Sequence, residues 1–238
     1  MPRRPRFAQA GYIFHVLNRG AGRQTLFEDD RDYDAFMRLL EEARQKVELR
    51  ILAFCAMPNH WHLVLWPTSD DALSEYMRWL TTTHSQRWHA HRGTAGTGPV
   101  YQGRFKSFPV QADEHFLTVC RYVERNPVRA KLCSCAELWK WSSAWRDREG
   151  ACPVSLSEWP LPKPDQWLTY VNDPQTEAEL ASLRYSLTHG RPFGGNDWTH
   201  ETARELGLRH TYTPYSGEPG SWIVIGGRES LAAKDLLY

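Results

Sequence analysis

Ile51-Leu52-Ala53-Phe54-Cys55-Ala56-Met57-Pro58-Asn59-His60-Trp61-His62-Leu63-Val64-Leu65-Trp66 decides the fold, because it reads as two β-strands joined by a tight turn. Ile51 to Met57 is an apolar run of strand length, Pro58-Asn59 carries turn chemistry, and His60 to Trp66 follows as a second strand, so the two pair as a hairpin. In that second strand the side-chain period of two puts His60, His62 and Val64 on one face and Trp61, Leu63 and Leu65 on the other. The second of these is the core face.

Working outward, Gly11 to Leu17 alternates as a strand and the turn-prone stretch Asn18-Arg19-Gly20-Ala21-Gly22 is expected to end it. From Asp30 to about Val47 the residues Tyr33, Phe36, Met37, Leu39, Leu40 and Ala43 recur at helical spacing behind an acidic first turn. After the hairpin come a second helix over about Ala72 to His89 and a loop over Gly93 to Pro99. A strand from Arg104 to Gln111 and a third helix from Asp113 to Asn126 follow. The order β-α-β-β-α-β predicts an α+β chain with a ferredoxin-like split βαβ unit, an antiparallel sheet with helices on one face, plus one further helix.

Beyond about residue 132 the chain becomes rich in tryptophan and proline, with Trp139, Trp141, Trp145, Trp159 and Trp167, then helical over Thr176 to Leu187 and Asp197 to Leu206. The expected division is therefore 1–131 as a catalytic domain and 132–238 as a helical C-terminal extension. The two last helices flank Gly190 to Gly195 and read better as a helical hairpin packed on the main domain than as a helix-turn-helix.

The 238 residues include 29 Lys and Arg against 28 Asp and Glu. The balance is uneven, since residues 1–131 carry 19 basic and 14 acidic side chains, an excess of five, and the rest is acidic by four. A basic front portion suits a polyanionic partner without proving one. With no long apolar stretch, no membrane is expected and a cytoplasmic place is. Cys55, Cys120, Cys133, Cys135 and Cys152 contain no CxxC pair and are expected to be reduced thiols.

Two imidazoles about 6–7 Å apart along a strand can converge on one cation. In the helix of Tyr122 the apolar stripe is Phe116, Val119, Cys120 and Val123, while Thr118, Tyr122, Arg125, Asn126 and Arg129 form a second, polar face. Tyr122 thus lies off the main stripe with Asn126 one turn on, and Pro127 ends or kinks the helix. Should this polar face lie over His60 and His62, two histidines and an amide oxygen would surround a divalent ion, Mg²⁺ or Mn²⁺, beside a phenol. A tyrosine of ordinary pKa, ~10, is a poor nucleophile at neutral pH, so geometry and the metal would have to activate it.

The segments Met57-Pro58-Asn59-His60-Trp61-His62-Leu63, Tyr101 to Ser107, Arg121 to Ala130 and Trp141-Ser142-Ser143-Ala144-Trp145 resemble the single-tyrosine HUH transposases, most closely the REP-associated tyrosine transposases. The resemblance runs from about Tyr12 to Trp145. It implies the split βαβ fold, His60, His62 and Asn126 as metal ligands, and Tyr122 as the nucleophile on a 5′ phosphate. The implied partner is single-stranded DNA at hairpin-forming repeats (repetitive extragenic palindromes), for a nucleoid-associated monomer or homodimer. Arg3, Arg4, Asn18, Arg19, Arg104 and Lys106 are the expected DNA contacts. The basic tail that the resemblance would suggest is missing, and Ser221 to Gly227 leads into a stretch without a legible pattern. Two other readings stay open: a DNA-hairpin-binding protein without chemistry, and a metal-dependent hydrolase in which Tyr122 is structural.

Overall fold

The structure, a computed structural model, describes residues 9–145 and 154–212; Arg3, Arg4, Cys152 and Ser221 to Gly227 lie outside the described residues. Four strands, β1 (Ile13–Arg19), β2 (Leu49–Met57), β3 (His60–Pro67) and β4 (Lys106–Val110), form one sheet in the order β2-β3-β1-β4. All three pairings are antiparallel, which is the split βαβ arrangement that the element order predicts.

The local reasons are visible at the element ends. Helix α1 (Asp30–Lys46) starts where the Asp29 carboxylate accepts the backbone N–H groups of Arg31 and Asp32 at 2.9 and 3.1 Å. It ends on Arg44 and Lys46, which suit the negative end of the helix dipole. Helix α2 (Ala72–Arg92) closes on Gly93 at φ 62°, a left-handed cap that glycine adopts without strain. The hairpin turn is fastened from outside, because the Pro58 carbonyl accepts from Leu26 and Phe27 N–H at 2.7 and 3.1 Å and the Asn59 carbonyl accepts from Gly20 N–H at 2.9 Å.

One expectation is corrected here. Asn18 and Arg19 do not begin a turn; β1 runs through them, with Asn18 opposite Trp61 and Arg19 opposite His60. The cross-strand ladder with β3 overrides local turn propensity.

As the alternation requires, Trp61, Leu63 and Leu65 face α1 and α2 and join Phe14, Phe36, Leu40, Tyr76 and Leu80 in one core. The opposite face is covered as well. Helix α3 (Glu114–Glu124) lays Phe116, Val119, Cys120 and Val123 against Ile13, Leu17, Cys55 and Val64, and Trp167, Leu183 and Leu187 complete this second core. Pro127 stops α3 as expected, and the four-residue turn α4 (Asn126–Arg129) follows.

The chain after residue 132 has a definite structural task, which is to cover both sheet edges. Along β2, Ala56 N–H donates to the Trp141 carbonyl at 2.9 Å, while the Trp139 and Trp159 indole N–H groups donate to the Ala56 and Leu52 carbonyls at 2.8 and 2.9 Å. Along β4, Phe193 N–H donates to the Pro109 carbonyl and Gln111 N–H to the Phe193 carbonyl, both at 2.9 Å. An open edge would offer its ladder groups to other chains, so these bonds protect the sheet. The helices α5 (Trp167–Asn172), α6 (Glu177–His189) and α7 (Asn196–Glu205) connect these contacts, α6 starting in a Thr176/Glu179 capping box.

Candidate active site

His60 opens β3 and His62 follows on the same face, opposite Arg19 and Leu17 of β1. Their ring centroids are 5.1 Å apart and nearly perpendicular. Neither is an exposed surface histidine: His60 is 6% and His62 2% accessible. Burial pushes His60 down to about 3, with Arg19 and Arg129 adding repulsion, and holds His62 well below the ordinary histidine value. Both imidazoles are therefore neutral near pH 7 and carry a lone pair that a cation can use.

Across the gap stands α3. The ring of Tyr122 meets His62 edge-on with centroids 5.7 Å apart, and it is buried with the second core. The expectation that Tyr122 lies off the apolar stripe is corrected: it is buried in the same cluster as Phe116, Val119, Cys120 and Val123, with its ring turned onto the histidines, because the face that carries it packs inward. The residue is only 3% accessible, enclosed by the histidines, Arg129 and the second core. Asn126, one turn on, donates through Nδ2 to the Tyr122 carbonyl at 3.3 Å, and its side chain lies beside His60, where it favours the charged form of that ring.

Arg129 ties these groups together. Its Nη2 donates to Asn126 Oδ1 at 2.6 Å, and its guanidinium carbon sits 4.3 Å from the centroid of the Tyr122 ring. No carboxylate pairs with Arg129 among the described residues, so its charge is directed at the site itself. Behind α3 the fully buried Glu124 accepts from the Ser143 hydroxyl at 2.5 Å and from the Trp167 indole N–H at 2.7 Å. Arg121 donates to the carbonyls of Asp173 and Pro174 at 2.9 and 3.2 Å. The helix that presents Tyr122 is thus fixed by the chain after residue 132.

A family model described as "Transposase IS200 like" matches residues 8–126, half of the chain, and spans β1 through Asn126. The chain belongs to the IS200-like transposase family. A solved structure of a REP-associated tyrosine transposase bound to a REP hairpin shares the fold of this transposase at 19% identity and a TM-score of 0.50, over 66% of this chain and 92% of that one. A protein of Deinococcus radiodurans described provisionally as a transposase aligns at 14% identity over 56% and 95% of the two chains, with a TM-score of 0.37, too slight to bear on the fold. No curated protein matches the sequence. As a member of this family the chain is a DNA-processing enzyme, and no helix among its described residues is long and apolar enough to cross a membrane.

Four of the expected DNA contacts of the transposase share one cleft. Asn18, Arg19, Arg104 and Lys106, with Leu17, Gln102 and Gly103, line a cavity of about 270 Å³ that begins beside His60, the residue opposite Arg19. The Lys106 ammonium is held below the ordinary lysine value by desolvation and by Arg19. Asn18 Oδ1 accepts the Arg19 N–H at 2.9 Å and so shapes the strand end.

Two site residues escaped the sequence reading. His15 places Nε2 2.9 Å from His62 Nδ1, and Arg129 was assigned to the polar face without a role. The signal for His15 was present: it shares a strand face with Ile13 and Leu17, and antiparallel pairing of β1 with β3 sets that face beside His62. Asp113, Glu114 and His115 also form a cluster of possible metal ligands, but the Asp113 carboxylate is occupied in capping α3 and in a 2.8 Å contact with His115 Nδ1. Cys55, Cys120, Cys133 and Cys135 are thiols.

Proposed function

We propose that this transposase cleaves and rejoins single-stranded DNA at hairpin-forming repeats, with Tyr122 attacking the phosphorus and holding the 5′ phosphate while the 3′-OH is released. The observation that carries this reading is the meeting of His60, His62, Tyr122 and Asn126, two from a strand and two from the end of α3 and the turn that follows it, some sixty residues on, in a site with no carboxylate among the described residues. The likeness to a transposase solved with a REP hairpin supports the hairpin as substrate. Residues 1–131 would supply the catalytic domain and 132–238 the extension, working in the cytoplasm at the nucleoid where such DNA lies.

His60, His62 and Asn126 fit a divalent ion, Mg²⁺ or Mn²⁺. His60 Nδ1 is 2.6 Å from Asn59 Oδ1, and His62 Nδ1 is engaged by His15, so each ring leaves Nε2 as its remaining donor atom. Asn126 Oδ1 accepts one bond from Arg129 and keeps a second lone pair. Such an ion would polarise the phosphodiester and offset the charge that develops on it.

The protein side chains do the rest. Arg129, stacked on the Tyr122 ring, limits where the phenol can point and places a positive charge beside the attacked phosphate. As the Tyr122–phosphorus bond forms, the bond from phosphorus to the 3′ oxygen breaks, the phenol proton departs and the 3′ oxygen gains one. The same steps reversed rejoin the strand.

Incubation with a labelled hairpin oligonucleotide and Mg²⁺ or Mn²⁺ should leave a protein–DNA adduct that survives denaturation, absent with EDTA and in Tyr122→Phe. Undiminished cleavage by Tyr122→Phe would end the tyrosine mechanism. Binding without any adduct in wild type would reduce the protein to a hairpin binder.

A further inference from the structure

The cleft beside His60 does not stop at Arg104. Asn18, Gly103 and Arg104 also line a second groove of about 490 Å³ that continues onto α2. There Arg78, Thr82, Ser85 and Gln86 recur at i, i+4, i+7 and i+8, so they share one face of the helix, beside the buried stripe of Leu73, Met77, Leu80 and His84, from which Met77 reaches the groove floor. Phe105, half buried and packed along the edge of the first core, lines the α2 groove next to Arg104.

Charge separates this groove from the rest of the surface. The whole chain balances 29 basic against 28 acidic residues, yet among the described residues the two connected clefts hold four cations, Arg19, Arg78, Arg104 and Lys106, and not one carboxylate. A continuous positive track with polar side chains and an aromatic ring is built for a nucleic-acid strand whose bases are not already stacked in a duplex, since only unpaired bases offer a face to a ring.

We propose that the α2 groove binds the single-stranded DNA next to the cleavage site, with its phosphates along Arg78 and Arg104 and one base stacked on Phe105. This rests on the strand-cleaving reading above and extends it, because it assigns the path that the DNA takes once it leaves Tyr122. None of the α2 residues belongs to the chemistry, so they would act on affinity and on the choice of flanking sequence.

The test uses the full chain in EDTA and a hairpin oligonucleotide bearing a single-stranded flank of zero, four or eight nucleotides, read by fluorescence anisotropy. Wild type should bind the longer flanks more tightly. Arg78→Glu and Phe105→Ala should each lose about ten-fold on the eight-nucleotide flank and nothing on the bare hairpin. Arg38→Glu, the same charge reversal on the exposed face of α1, should leave the flank dependence intact. Equal losses in Arg78→Glu and Arg38→Glu would overturn the proposal. A 5-iodouracil walked along the flank should photocrosslink to Phe105 in wild type at one position; crosslinks confined to residues outside the groove would overturn it without relying on any variant. Adduct formation by wild type on the same oligonucleotide is scored separately. An adduct with no flank effect refutes the groove alone, and a flank effect with no adduct refutes the chemistry alone.

Discussion

His15 Nε2 lies 2.9 Å from His62 Nδ1, a contact between neighbouring strands that engages one nitrogen of His62 while its ring meets Tyr122 edge-on. His15 is 1% accessible and held down to about 3 by burial, so it stays neutral and acts by orienting its neighbour.

His15→Ala should therefore weaken Mn²⁺ binding by about 10–100-fold while the fold survives, because the imidazole of His62 loses its orienting partner. Isothermal titration with Mn²⁺, set beside a circular-dichroism melt, checks this. Unchanged affinity would make His15 a packing residue only.

Arg129 bridges Asn126 and the ring of Tyr122. Arg129→Gln should lower the single-turnover rate of adduct formation by about 100-fold at saturating DNA, the scale of losing one positioned charge donor. Arg129→Lys should recover little, since a lysine cannot reproduce the planar fork that stacks and donates together. A rate restored by lysine would mean that charge alone is needed.

Trp167 reaches from the C-terminal part to Glu124 at 2.7 Å in a fully buried setting. Trp167→Phe leaves that carboxyl short of a donor and should cost about 1–3 kcal/mol in urea unfolding. A loss near zero would show that α3 is not held from behind by this contact.

Acid should destabilise the protein through its buried histidines. His84 is 7% accessible, 2.7 Å from the Tyr101 hydroxyl, and lowered by burial to about 4. Its folded pKa is below the unfolded one, so its contribution is complete above about pH 6.5 and is lost as pH falls toward 4, where the unfolded chain binds a proton that the folded chain does not. His84→Gln should flatten the fall of Tm over that window; an identical slope in both proteins would contradict the assignment.

Much of this was legible in the residues themselves. The hairpin from Ile51 to Trp66 fixed the core face, and the stripe Phe116, Val119, Cys120 and Val123 oriented α3, because both rest on side-chain periodicity that packing enforces. Contacts that depend on strand register were not legible. His15 meets His62 only through the pairing of β1 with β3, and Arg19 belongs to β1 although its neighbours spell a turn. The edge cover by Trp139, Trp141 and Phe193 consists of a few backbone bonds and an indole N–H made by irregular chain, which leave no periodic trace. The tryptophans announced a change of character but not its purpose. Arg3 and Arg4 lie outside the described residues.

The most direct test of the central claim is to trap the covalent adduct on a hairpin oligonucleotide, digest it with protease and nuclease, and find the modified peptide by mass spectrometry. The account predicts a nucleotide phosphate on Tyr122, within the peptide that ends at Arg125. A nucleotide on any other side chain, or cleaved DNA with no modified peptide, would contradict it.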